Sequence, residues 1–176
     1  MDYSSPAIRY EDGSYGMDSW KIAHELEKRY PEPSLHLDDP IVIQVRDHIG
    51  KIMGPLTGYI LPRVPTHILG PASAEYFDTT REKMFGKPLA QVAQETATEQ
   101  AWKDVEEPVR QIAEILKKNS GPFFLGKTVS YADFIFVGYL RFLKAADEKV
   151  FDRFVAFDPA FSAIYDASKP WLEKDN

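Results

Sequence analysis

Cysteine is absent from all 176 residues, which excludes a disulfide framework, a cysteine-based zinc site and a cysteine nucleophile. Any thiol chemistry must therefore use a thiol that a ligand brings in. Long apolar runs are also lacking. No stretch approaches the ~18 to 20 apolar residues that span a bilayer, and Met1-Asp2-Tyr3-Ser4-Ser5 has neither the basic nor the apolar region of a secretion signal. The expectation is a cytoplasmic chain without membrane association. Positive charge is in deficit, 21 Lys and Arg against 27 Asp and Glu for a net charge of −6. The basic residues are scattered, which argues against a nucleic-acid partner. His24, His36, His48 and His67 fall on different predicted elements with no ligand pair at helical spacing, so no metal is expected.

What is present suffices for one substantial core, since 44% of the residues are hydrophobic. Residues 6–10 have strand composition, Glu11-Asp12-Gly13-Ser14 carries a turn signal, and Tyr15-Gly16-Met17 reads as a short return strand. Asp18-Ser19 then precedes a helix whose inner face would hold Ile22, Ala23 and Leu26, and Tyr30-Pro31 stops it. A hairpin plus one helix buries too little to stand alone, and its sheet edges are unpaired. This first unit, residues 1–31, must lean on something. A proline-rich acidic linker follows over residues 32–40.

Residues 41–176 read as an all-helical unit. Ile41, Val45, Ile49, Ile52, Leu56 and Ile60 repeat at steps of three and four, the period of one helix face. Gly54-Pro55 is expected to kink this helix, and Pro62 and Pro65 to end it. On the same periodicity His48 falls on a polar, solvated face with Gln44 and Lys51. A second helix is predicted over residues 72–84, stopped by Gly86. A third spans 88–118, with Pro108 either kinking it or starting a new helix. Ser130 and Asp133 form a capping box with Val129 stapling onto Phe134, a folding device that opens an apolar helix to about Ala146. Helices near 149–155 and 159–172 complete the chain. Trp102, Trp171, Phe134, Phe136, Tyr139 and Phe142 read as core or interface aromatics.

Two motifs carry a family resemblance. Ser5-Pro6-Ala7-Ile8, Asp12-Gly13 and Met17-Asp18-Ser19-Trp20-Lys21-Ile22 resemble the second half of the glutathione transferase N-terminal domain. The run Phe123-Phe124-Leu125-Gly126-Lys127-Thr128-Val129-Ser130-Tyr131-Ala132-Asp133 resembles the family's capping-box helix. Between them, Ala74-Glu75-Tyr76-Phe77, Thr80-Arg81-Glu82 and Phe85-Gly86 are similar to the fungal etherase-like branch, whose members often serve natural-product pathways. The resemblance implies a mainly α protein: a partial thioredoxin-like hairpin-plus-helix followed by an all-helical glutathione transferase C-terminal domain. The first strand, helix and second strand, where the family keeps its thiol-assisting serine, tyrosine or cysteine, are read as missing. No residue takes that role by resemblance.

For the site, the resemblance implies glutathione held by Ser5, Pro6, Asp18 and Ser19. Pro6 would follow a cis peptide that turns the Ser5 backbone toward the tripeptide. Ser19, at a helix start with free amides, would take the γ-glutamyl carboxylate, and Asp18 its ammonium. Tyr59 and Arg63, at the end of the first long helix, are candidates for the pocket of a small-molecule electrophile. The implied activity is attack of the glutathione thiolate on a small apolar electrophile. Its outcome would be conjugation, ether cleavage, or reversible addition that isomerises a double bond. A non-catalytic binding or assembly module is the alternative, and a homodimer is implied in either case.

Overall fold

The computed structural model describes residues 6–173. Strand β1 (Ala7–Arg9) pairs antiparallel with β2 (Tyr15–Met17), with Ile8 opposite Gly16. The turn works as its residues predict. Gly13 takes φ 84°, Tyr10 N–H donates to Ser14 O, and the Asp12 carboxylate accepts from the Ser14 amide at 2.9 Å. Helix α1 (Ser19–Arg29) lies against this hairpin. Arg29 at its end bonds Asp12 at 2.9 Å and covers the Tyr10 ring, so the turn is fastened to the helix.

Then come α2 (Pro40–Ile60), a 3-10 turn (Leu61–Arg63), α3 (Val64–His67), α4 (Pro71–Phe85), α5 (Leu89–Thr96) and α6 (Glu99–Leu116). The chain closes with α7 (Tyr131–Ala146), α8 (Glu148–Val155), α9 (Pro159–Ala167) and α10 (Lys169–Leu172). Among the described residues the two short strands form the only named sheet, and no helix is long and apolar enough to cross a membrane. The core is built where α2, α6 and α7 meet. Val45, Ile52, Leu56, Val105, Ile112, Phe136 and Leu140 are buried there, with Phe154 of α8 and Phe161 of α9 closing one end. The helical pattern expected from sequence is thus present, with Gly86 in the left-handed conformation that ends α4.

Several boundaries differ from the sequence reading. The predicted third helix is two, α5 and α6, parted at Ala97-Thr98. Neither residue is a glycine or proline; the local signal is Thr98, a favoured N-cap residue type that stands at the N-cap of α6. Gly58 of α2 passes close to this break, where a Cβ would fall 2.8 Å from Ala97 N. Pro108 sits inside α6, and Pro55 inside α2, without ending either helix. Pro62 and Pro65 do not simply stop α2. Each occupies the first turn of a new short helical segment, where its missing N–H costs nothing. The last predicted helix is also divided, at Ser168.

His48 is a correction of substance. It is buried, not solvated, because α6 packs across that side of α2. Its Nδ1 lies 2.7 Å from Gln44 O and its Nε2 3.2 Å from Gln111 Oε1. Gln111 in turn donates to Glu107 at 2.7 Å.

Candidate functional site

Ser130 and Asp133 behave as read from sequence. They form the capping box of α7, and the buried Asp133 carboxylate accepts from Ser130 N (2.7 Å), Ser130 Oγ (2.9 Å) and Phe124 N (2.8 Å). Burial pushes the Asp133 carboxyl above its ordinary pKa, outweighing those bonds. The group is saturated by its own loop, so its work is to fix where α7 begins. Tyr131, first residue of that helix, donates its backbone N–H to Leu35 O of the linker at 2.7 Å. The start of α7 is therefore pinned beside α1.

At the start of α1, Asp18 has φ 77° and ψ 114°, a backbone region that a non-glycine residue enters at a cost of about 1–3 kcal/mol. The conformation persists because Asp18 is over-determined. Its Oδ1 accepts from Trp20 N at 2.9 Å and Lys21 N at 3.3 Å, while its carbonyl accepts from Ile22 N at 2.9 Å. Its Oδ2 has no hydrogen bond among the described residues. The same holds for the Ser19 amide and hydroxyl. One carboxylate oxygen, one N–H and one O–H are thus left open at the positive end of a helix, on exposed residues. That set matches an amino-acid head group: the N–H and O–H for its carboxylate, Oδ2 for its ammonium. The Trp20 ring beneath is clamped by His24 (centroids 5.0 Å apart), Tyr131 (6.1 Å) and the Arg46 guanidinium (4.7 Å).

Beside this turn, α1, the linker and α7 line an open groove of about 540 Å³. Pro6 and Ser19 sit on its wall with Ile22, Ala23, Leu26 and Phe134. Tyr131 is also there, half-buried; burial and the Asp18 charge raise its pKa, so its hydroxyl stays protonated at neutral pH.

The structure thus brings together Pro6, Asp18 and Ser19. Ser5, and with it the geometry of the Ser5-Pro6 peptide, lies outside the described residues. Tyr59 and Arg63 are not part of this group. Tyr59 lies thirteen helical steps along α2 from Arg46, a rise of about 20 Å. Tyr59 packs on Trp102 with centroids 5.5 Å apart, and Arg63 pairs with Asp147, the cap of α8, at 3.2 Å. Both side chains have structural partners where they stand. Tyr131 is the residue that sequence reasoning missed. It sits inside a recognisable capping box, and only the convergence of α1 and α7 places it on the wall of the groove.

The sequence family described as glutathione S-transferase, C-terminal domain, matches residues 45–157, more than half of the chain. A curated relative, the glutathione S-transferase-like protein ustS of Aspergillus flavus, is 32% identical over 89% of this chain, which spans 61% of that protein's length. The fold is similar to that of glutathione transferase GSTFuA2 from Phanerochaete chrysosporium, with TM-score 0.81, 23% identity, and coverage of 99% of this chain and 73% of that one. It is also similar to the glutathione S-transferase CsGST83044 of Ceriporiopsis subvermispora, solved in complex with glutathione, with TM-score 0.76, 23% identity and coverage of 96% and 72%. The two short strands, the helix behind them and the helical bundle are thus the partial thioredoxin-like element and the C-terminal domain of a known fold, and the chain belongs to the glutathione S-transferase family.

Proposed function

We propose that this protein binds glutathione at the Asp18-Ser19 turn and directs its thiolate to a small apolar electrophile, by conjugation or by reversible addition that isomerises a double bond. The observation that carries this reading is the open donor and acceptor set on a strained turn. An ordinary helix cap needs only the Asp18 Oδ1 contacts and gains nothing from the unusual φ. The family membership and the glutathione-bound structural neighbour support the same ligand. The γ-glutamyl carboxylate would be received by the Ser19 N–H and O–H, aided by the α1 dipole, and the γ-glutamyl ammonium by Asp18 Oδ2. The thiolate is the nucleophilic form, and a site that lowers the thiol pKa raises its fraction at neutral pH.

Calorimetric titration with glutathione tests the reading. Binding in the micromolar to millimolar range is expected, weakened about ten-fold or more in Asp18→Ala and Ser19→Ala, the scale of a lost charged hydrogen bond. A well-folded protein that binds no glutathione would refute it.

A binding or assembly module is the second reading, and α4 favours it. That helix buries no residue and leaves Tyr76 and Met84 each 72% exposed. A homodimer is proposed under both readings, checked by light scattering.

A further inference from the structure

The Asp18 carboxylate leaves Oδ2 open because Oδ1 is committed, to Trp20 N at 2.9 Å and Lys21 N at 3.3 Å. The aim of the open oxygen therefore depends on where the Trp20 and Lys21 amides stand. Those two bonds lie inside the turn. They fix Asp18 to α1, and do not fix α1 to the rest of the molecule. The backbone at Asp18, with φ 77°, persists only while its surroundings hold it, so a contact outside the turn must anchor the first residues of α1.

The Trp20 side chain makes that contact. Its ring is half-buried and packs at the edge of the helical core. The Tyr131 ring of α7 stands 6.1 Å from it, the Arg46 guanidinium of α2 lies over it at 4.7 Å, and His24, one turn along α1, meets it edge-on at 5.0 Å. Glu27, which ties α1 to Ser34 and Leu35, is seven residues further on. That is about 10 Å along the axis, too far to hold the turn. Arg46 has little other engagement. Among the described residues its ion pair is with the adjacent Asp47 at 3.3 Å, both side chains about half exposed, a geometry that contributes little. The helix that carries it is firmly seated, with Val42, Val45 and Ile49 buried. A flat, weakly hydrated cation on a fixed helix thus covers the ring whose backbone amide holds Asp18.

From this arrangement we infer that Arg46 is a positioning residue for the head group received at the Asp18-Ser19 turn. It acts by holding the Trp20 ring, and through it the Trp20 amide, Asp18 Oδ1 and the outward aim of Oδ2. Its effect on affinity rests on the glutathione reading. Its hold on the turn does not.

The test compares wild type, Arg46→Ala, Arg46→Lys, Trp20→Leu and the double variant Trp20→Leu/Arg46→Ala, by amide hydrogen exchange without ligand and by calorimetric titration with glutathione. Arg46→Ala should speed exchange at Trp20, Lys21 and Ile22 and weaken glutathione binding, each by about three-fold, the scale of one exposed cation–π contact. Exchange across α6 and the thermal transition should be unchanged. Arg46→Lys, which keeps the charge and loses the plane, should fall between Arg46→Ala and wild type. Adding Arg46→Ala to Trp20→Leu should have no further effect on exchange or affinity, because the ring through which Arg46 acts is gone. A simple attraction between Arg46 and the anionic tripeptide would instead survive in full in Arg46→Lys and persist on top of Trp20→Leu, so additive losses overturn the proposal. Unchanged exchange at these three amides in Arg46→Ala overturns it as well. If the wild type binds no glutathione, the glutathione reading alone is refuted, and the exchange comparison decides the role of Arg46 by itself.

Discussion

The helical region from α2 to α10 and the hairpin–helix segment before it are held together by different means. The helical region is closed by an interlocked core in which Ile52, Leu56, Ile112, Phe136, Leu140, Phe154 and Phe161 are essentially inaccessible. Between residues 6 and 31 only Ile22 is buried. That segment is fastened mainly by polar contacts, Arg29 to Asp12 and Glu27 to Ser34 and Leu35, with the Trp20 ring packed between Arg46 and Tyr131 at the edge of the core. Hydrophobic burial scales with area, whereas each polar contact adds only about 1 kcal/mol net. The candidate residues Asp18 and Ser19 therefore sit on the weakly held element, which rests on the strongly held one. Local opening of β1, β2 and α1 should precede global unfolding.

Substitutions can break this contrast. Leu140→Ala should cost about 3 kcal/mol in urea unfolding of the whole helical region, through lost burial and the cavity left behind. Ile22→Ala should leave the main transition nearly unmoved. If the two cost the same, the regions are one cooperative unit and the comparison fails. Asp133→Ala comes next, at about 2 kcal/mol, since it strands the Phe124 and Ser130 donors in the core. Its effect should appear in the main transition. Glu27→Gln, at about 1 kcal/mol, should accelerate amide hydrogen exchange across α1 and not across α6 or α7.

Acid gives a smaller and directional effect. The Ser14 hydroxyl and amide, then Arg29, hold the Asp12 carboxyl down at about 2. Burial pulls Glu27 up, but the Ser34 hydroxyl and the Leu35 amide outweigh it and keep it below its usual value. Both groups are depressed in the fold, so their contributions are present above the unfolded carboxylate range near 4 and are lost as pH falls toward 2. Asp133 is raised, so its contribution has the opposite sign: stability falls as pH rises from the unfolded value through the raised one. Acidification from pH 5 to pH 2.5 should thus release α1 first. Exchange or near-ultraviolet dichroism reporting simultaneous loss of both regions would contradict this.

What could be read from sequence was local. Asp18-Ser19 and the Ser130–Asp133 pair fix helix starts through capping bonds within three residues, Gly86 ends α4 through its left-handed backbone, and each is where it was expected. The apolar stripe of α2 was equally legible, because periodicity reports which face is buried. Periodicity does not report what covers the other face. His48 was assigned to solvent although α6 closes over it. The site divides the same way. Asp18 and Ser19 carry a local signature, whereas Tyr131 becomes part of the groove only through the packing of α1 against the linker and α7. Tyr59 and Arg63 were placed by resemblance, and in the structure they stand among structural partners, at the far end of α2.

The measurement that tests the central claim most directly is amide chemical-shift mapping of the labelled protein during glutathione titration. The account predicts saturable shifts at Ser19, Trp20 and Lys21 that disappear in Asp18→Ala, with the centres of α6 and α7 unmoved. Shifts confined to the helical region, or none at these three amides, would contradict it.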